Sequence, residues 1–143
     1  MDAERVNFTP ITTYDLIQNG WRISSKRSNF SSHLFGGVPV LLHSIYWWDE
    51  DHLLEYWTRP NVPGPRLNHL PICLLISNDT FTAGEQFASD LKAHQRAVLI
   101  GETTEGGAHP DASYRLNSHF ELFILTGRAL QTRVLLRSYG YPL

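Results

Sequence analysis

Cysteine is nearly absent from this 143-residue chain, and long hydrophobic runs are missing altogether. Cys73 is the only cysteine, so a disulfide within the chain is impossible, and its apolar surroundings predict a small buried side chain. No apolar stretch reaches the ~20 residues that a membrane-spanning helix needs. Residues 1–5 do not follow the basic, apolar and small-residue order of a secretory signal. We therefore expect a soluble chain without a membrane span.

Neither sign of charge predominates in the sequence. Twelve basic and fourteen acidic side chains give a net charge of -2, which offers no electrostatic case for nucleic-acid binding. The seven histidines are scattered and form no His-x-x-x-His spacing, so we expect no metal and no other cofactor. Hydrophobic residues make up 42% of the chain, enough for a folded core, and the length fits one domain.

The first half of the chain is weakly patterned. Residues 1–37 hold one candidate strand, Ile11 to Leu16, and we treat them as a separate N-terminal segment. Residues 22–33 are polar and predict a loop or a marginal helix. Val38 to Trp48 is rich in apolar, β-branched and aromatic residues. Three prolines and a glycine within residues 58–69 predict an extended loop.

The second half has a clear strand, helix, strand order. Ile72 to Ser77 is a continuous apolar run that predicts a strand buried on both faces. Apolar residues at three- and four-residue spacing predict a helix over Ala83–His94, and Ala97 to Ile100 predicts a second buried strand. Residues 72–100 thus form a βαβ unit with parallel strands. Further strands are predicted over Tyr114–Leu116, Phe120–Leu125 and Arg128–Leu136. The fold class is α/β with a mostly parallel sheet.

The turn between the first of these strands and the helix is the candidate site. Open α/β sheets place their sites at such turns, and a hydroxyl at Thr82 would lie beside unpaired N–H groups at the positive end of the helix dipole. That environment suits a nucleophile and an oxyanion. It equally suits a capping box, because Glu85 follows Thr82 by three residues. Spacing leaves both interpretations open.

Two motifs at this turn and beyond it resemble a known family. They are Thr80-Phe81-Thr82-Ala83-Gly84-Glu85 and Gly101-Glu102-Thr103-Thr104-Glu105-Gly106-Gly107-Ala108-His109-Pro110. Both are similar to motifs of the tail-specific (carboxy-terminal processing) protease family, in its interphotoreceptor retinoid-binding protein-like branch. The likeness is strongest over residues 38–134, so residues 38–143 are expected to form the core of such a domain. Whether the chain is a fragment is left open.

The resemblance implies a crotonase-like core and attack on the carbonyl of a peptide or protein substrate. Thr82 stands where the family has its nucleophilic serine, and the Ala83 N–H would supply one oxyanion donor. The resemblance places the second donor near Gly20, in the best match to the family's glycine-rich stretch. Gly107 lies near the position of the processing branch's lysine base. His109 closes the second motif and has either a direct catalytic role or a bond to the backbone.

Several departures from the family pattern bear on activity. Thr82 replaces serine, Trp21 and Arg22 replace glycines, and Arg137 stands near the family's acidic partner. These changes predict weakened or lost hydrolysis. The alternative is a non-catalytic module that binds a retinoid or fatty-acid-like apolar ligand through an aromatic segment, for which core packing is the simpler explanation: Tyr46, Trp47, Trp48, Tyr56 and Trp57. Assembly into a homo-oligomer is a further open expectation.

Overall fold

A computed structural model describes residues 30–131 of the chain. The predictions for Ile11–Leu16, Gly20, Trp21–Arg22 and Arg137 lie outside these residues. Within them, residues 30–34 are helical, and no helix is long and apolar enough to cross a membrane. The remaining elements are β1 (Leu41–Trp47), β2 (His52–Trp57), β3 (Cys73–Ile76), α1 (Ala83–Ala93), β4 (Val98–Gly101), β5 (Asp111–Arg115), β6 (Glu121–Leu125) and β7 (Gly127–Gln131).

The largest sheet is antiparallel, in the order β2-β1-β7. Strands β1 and β2 form a hairpin in which Trp47 lies opposite His52. On the other edge of β1, Trp47 lies opposite Gly127 of β7. A side chain at residue 127 would place its Cβ 2.6 Å from the carbonyl oxygen of Tyr46. Glycine at 127 therefore permits the close approach of β7 to β1.

Strands β3 and β4 form the predicted parallel pair around helix α1. Cys73 lies opposite Val98, and Ile76 lies opposite Gly101, so the βαβ unit and the helix bounds are close to the prediction. The predicted burial on both faces is wrong, because Leu75 is 77% exposed. Cys73 is exposed as well. Within residues 30–131 the core residues lie on one side of this pair only, and the sheet pairings are otherwise antiparallel.

The core lies between helix α1, the 30–34 helical residues and the inner side of β3. Its fully buried apolar side chains are Leu34, Phe35, Leu42 and Leu91. Burying each of them contributes roughly 1.5–3 kcal/mol. This core fixes α1 against β3, and so it sets where the helix amino-terminus lies.

Two arginines hold the proline-rich loop against this core. Arg66 donates to the carbonyls of Ser32, at 2.6 Å, and Pro60, at 2.5 Å. Arg96 donates to the carbonyls of Leu67, at 2.6 Å, and Leu70, at 2.8 Å. A guanidinium has several N–H donors in a fixed planar arrangement. Each arginine can therefore bond several loop carbonyls that have no partner in a helix or sheet.

Candidate active site

The chain leaves β3 through a tight turn that fixes the approach to helix α1. The buried Thr80 hydroxyl accepts a hydrogen bond of 3.0 Å from the N–H of Ser77, and the Thr80 N–H donates back to the Ser77 carbonyl at 2.9 Å. This reciprocal pair is typical of side-chain-stabilised turns. It sets the backbone direction two residues before Thr82.

Thr82 itself has a strained backbone. Its φ of 42° and ψ of -105° lie in a region that β-branched residues rarely adopt. Such a conformation costs on the order of 1–3 kcal/mol and persists only when surrounding structure enforces it. Strained residues of this kind cluster at active sites, where the strained turn presents a side chain.

The Thr82 hydroxyl does not cap the helix. No side-chain cap hydrogen bond forms at this residue, so the capping-box interpretation is wrong. The first helical turn is closed instead by the Gly84 N–H bond to the Phe81 carbonyl and the Gln86 N–H bond to the Thr82 carbonyl, both at 3.0 Å. Across residues 30–131, the Ala83 N–H has no hydrogen-bond acceptor. A hydroxyl and an N–H are therefore both uncommitted at the positive end of a helix.

Glu85 binds the second motif and takes no part in a cap. Its side chain is 1% exposed, and its two carboxylate oxygens accept from the N–H groups of Gly106, at 2.6 Å, and Gly107, at 2.7 Å. Hydrogen bonds to a charged acceptor are stronger than neutral ones. Glu85 therefore clamps the glycine-rich loop to the helix that begins beside Thr82.

Further backbone bonds join the two motifs. The Glu105 N–H donates to the Thr80 carbonyl at 3.3 Å, and the Glu102 N–H donates to the Ile76 carbonyl at 3.1 Å. The Glu102 carboxylate also lies 3.4 Å from the N–H of Asn78. The strand-to-helix turn and the glycine-rich loop are thus one connected unit, although about twenty residues separate them in sequence.

Gly107 lies directly under an aromatic ring. A Cβ at residue 107 would sit 1.9 Å from the ring of Phe81, closer than any two atoms can approach without a shift. Glycine here lets the second motif approach the strand-to-helix turn. The resemblance compares this position with a lysine base, and such a side chain would require Phe81 to move.

His109 is tied to the backbone of β7. Its Nδ1 accepts a hydrogen bond of 3.2 Å from the N–H of Ala129. Because Nδ1 is the acceptor, a neutral imidazole carries its proton on Nε2. His109 in this state is a hydrogen-bond donor through Nε2, which leaves no free nitrogen to act as a general base.

A buried polar network was missed by the sequence analysis. Asp90 lies 2.9 Å from His43 Nδ1 and 2.9 Å from Gln86 Nε2, and it also accepts from Gln131 Nε2 at 3.2 Å. His43 stacks on Tyr56 with ring centroids 4.6 Å apart. The network joins β1, α1 and β7 through side chains.

This network is separate from the strained turn. Asp90 lies eight positions after Thr82, which is roughly 12 Å along the helix axis. Asp90 is buried, whereas Lys92 on the same helix is exposed. The described residues contain no group of three side chains that could hold a metal ion.

The aromatic segment is less buried than core packing would require. Trp48 and Trp57 are both exposed, and the Trp57 indole N–H donates to the Glu55 carboxylate at 3.0 Å. A shallow groove of about 360 Å³ lies nearby. Its lining residues are Trp47, Asp49, Asp111, Ala112, Tyr114 and Thr126.

Comparisons with known proteins show the fold and the family of the chain. In fold, the structure is similar to the photosystem II D1 C-terminal processing protease, with a TM-score of 0.52 and 19% sequence identity. The match covers 74% of this chain and 26% of that one, so the chain spans about a quarter of the processing protease's length. The sequence pattern of Peptidase family S41 matches residues 19–133, a range that contains both motifs. The chain belongs to peptidase family S41.

Proposed function

We propose that this chain is a serine-type, peptidase-like domain with a crotonase-like core, in which the Thr82 hydroxyl attacks a peptide carbonyl. The observation that carries the proposal is the strained backbone of Thr82, together with a hydroxyl that the helix does not use as a cap. A threonine needed only for packing or capping would have no reason to occupy this conformation.

The adjacent helix terminus supplies the electrostatics of the reaction. As the bond between Thr82 Oγ1 and the carbonyl carbon forms, the carbonyl oxygen gains negative charge. The uncommitted Ala83 N–H and the helix dipole stabilise that charge. The carbon–nitrogen bond then breaks, and the hydroxyl proton passes to the leaving amine. Water then attacks the resulting ester on Thr82, which releases the carboxylic acid and restores the hydroxyl. Gly20 is the proposed second oxyanion donor.

The described residues give Thr82 no base. No histidine or lysine within residues 30–131 hydrogen-bonds the hydroxyl, and His109 uses its Nδ1 on Ala129. The β-branched methyl also restricts χ1 and crowds the approach of a carbonyl. We therefore propose weak peptide hydrolysis by the chain alone, with the Thr82 hydroxyl as the nucleophile and the Ala83 N–H as an oxyanion donor.

Peptide hydrolysis by three variants tests this proposal. We expect slow cleavage of an unstructured peptide by the wild-type chain, loss of cleavage in Thr82→Ala, and a rise of roughly tenfold in Thr82→Ser because the methyl is gone. Thr103→Ala, an exposed hydroxyl in the second motif, is the matched control and should retain wild-type cleavage. Equal cleavage by wild type and Thr82→Ala would refute the nucleophile.

A second candidate function is the binding of a retinoid or fatty-acid-like ligand. The exposed Trp48 and Trp57, and the groove beside Trp47 and Tyr114, favour it, because aromatic walls are typical of apolar ligand sites. Saturable quenching of tryptophan fluorescence by a fatty acid, reduced in Trp47→Ala, would support this function. Linear, unsaturated quenching would exclude it.

A further inference from the structure

One face of the β5–β6 hairpin is entirely apolar. Side chains alternate between the faces of a strand, and directly opposed residues share a face. Ala112 lies opposite Ile124, and Tyr114 lies opposite Leu122. The ladder continues toward the hairpin turn, where the Leu116 N–H donates to the Phe120 carbonyl at 3.0 Å. We name this set the apolar face: Ala112, Tyr114, Leu116, Phe120, Leu122 and Ile124.

The other face of the hairpin carries the charges. Arg115 lies opposite Glu121, and Asp111 lies opposite Leu125. The Ser113 hydroxyl, on the same face, donates to the Glu121 carboxylate. The hairpin is therefore amphipathic, with every charged residue of its two strands on the side away from the apolar face.

The apolar face is uncovered within residues 30–131. Its five large side chains are between 43% and 66% exposed. At roughly 200 Å² for each bare large side chain, they present on the order of 500 Å² of apolar surface. That is at the upper end of the largest patch found on monomeric proteins. A two-stranded hairpin is also only marginally stable in water unless one face is packed.

We infer that the apolar face is a homodimer interface, packed against the same face of a second copy of this chain. Two such faces bury on the order of 1,000 Å², the size of weak and transient interfaces. The face has no charge, so a two-fold pairing opposes no like charges. A partner with a charged surface would find no complement on it.

We expect so small an interface to give a weak dimer, with a Kd on the order of 10 µM. Sedimentation equilibrium of the full chain from ~1 to ~100 µM tests it. We expect a rise from the 16.3 kDa mass of one chain to twice that mass. Leu122→Glu should hold the mass at one chain across the range. Phe123→Glu is the matched control, because Phe123 is adjacent and 64% exposed but lies on the charged face, and it should still dimerise.

Two outcomes would overturn the inference. One is a wild-type protein that stays at the mass of one chain at every concentration, which would mean that another segment covers the face. The other is equal behaviour of Leu122→Glu and Phe123→Glu. If circular dichroism shows that Leu122→Glu does not fold, Leu116→Glu at the hairpin turn replaces it. The inference is independent of hydrolysis at Thr82, because these variants lie outside the strained turn.

Discussion

Thr82 stands at the first position of a capping-box sequence pattern but does not form the cap hydrogen bond that this pattern predicts. The Thr82–Glu85 spacing is that of a capping box, yet neither side chain caps the helix. The Thr82 hydroxyl has no cap bond, and the Glu85 carboxylate binds amides more than twenty residues away. Local spacing could not reveal this, because the partners of Glu85 come from a distant loop and the positive φ of Thr82 depends on the turn before it.

The backbone strain at Thr82 predicts that a substitution which relieves it raises stability and abolishes activity. Glycine adopts positive φ without a steric penalty, so Thr82→Gly should raise the free energy of unfolding by about 1 kcal/mol while removing the nucleophile. Urea unfolding followed by circular dichroism measures the change. As a control, Thr103→Gly in the exposed loop should not raise stability. A Thr82→Gly variant less stable than wild type would show that the hydroxyl holds the turn in place.

The Glu85 clamp makes its own prediction at the residue scale. Glu85→Ala removes the acceptor of the Gly106 and Gly107 N–H groups, and a hydrogen bond to a carboxylate contributes about 1.5–3 kcal/mol. We expect a loss of about 3 kcal/mol in the free energy of unfolding. Glu105→Ala removes an exposed carboxylate from the same loop and should change stability by less than about 0.5 kcal/mol. Equal effects would mean that the clamp does not hold the two motifs together.

At the scale of elements, hydrophobic periodicity correctly predicted the helix and strands whose formation depends on local sequence. The helix was predicted over Ala83–His94 and lies over Ala83–Ala93. The parallel pairing of the flanking strands followed from their spacing. Strand β2 was missed, because its sequence His52–Trp57 mixes apolar, aromatic and charged residues without strict alternation. Its strand state depends on pairing with β1, a contact that propensity alone does not specify.

Burial was the least predictable property of these elements. A continuous apolar run usually marks a strand covered on both faces, but β3 is covered on one. Conversely, an aspartate is seldom fully buried, yet Asp90 is buried beside His43. In both cases the outcome depends on what packs against the element from elsewhere in the chain. The only local signal for the Asp90 network is the Gln86–Asp90 pair, four residues apart on one side of the helix.

The Asp90 network predicts that removing Asp90 lowers the stability of the fold much more than removing an exposed aspartate does. Asp90→Ala removes the shared acceptor of His43, Gln86 and Gln131, and leaving a buried donor unsatisfied costs about 1–3 kcal/mol. We expect the midpoint of urea unfolding to fall accordingly. Asp79→Ala, in the exposed part of the strand-to-helix turn, should leave the midpoint nearly unchanged. If both variants unfold alike, the network contributes nothing specific to the packing of α1.

At the scale of the whole molecule, the chain holds the turn that we propose carries the nucleophile, and within the residues described no histidine or lysine bonds the Thr82 hydroxyl. It belongs to peptidase family S41 through residues 19–133, and it spans 26% of the processing protease that it resembles in fold. The division into residues 1–37 and 38–143 stays a prediction. The sequence did not predict that two apolar surfaces are exposed. They are the outer side of β3–β4 and the apolar face of the β5–β6 hairpin. A sequence pattern shows which residues are apolar, but it does not show which other elements pack on them.

The most direct measurement of the central claim is the site of covalent modification by a fluorophosphonate probe. Thr82→Ser and wild-type chains are incubated with the probe, digested, and mapped by mass spectrometry. The account predicts an adduct on residue 82, faster in Thr82→Ser than in the wild type and absent from Thr82→Ala. An adduct on another residue, or none on Ser at position 82 in a folded protein, would contradict the assignment of this turn as the nucleophile site.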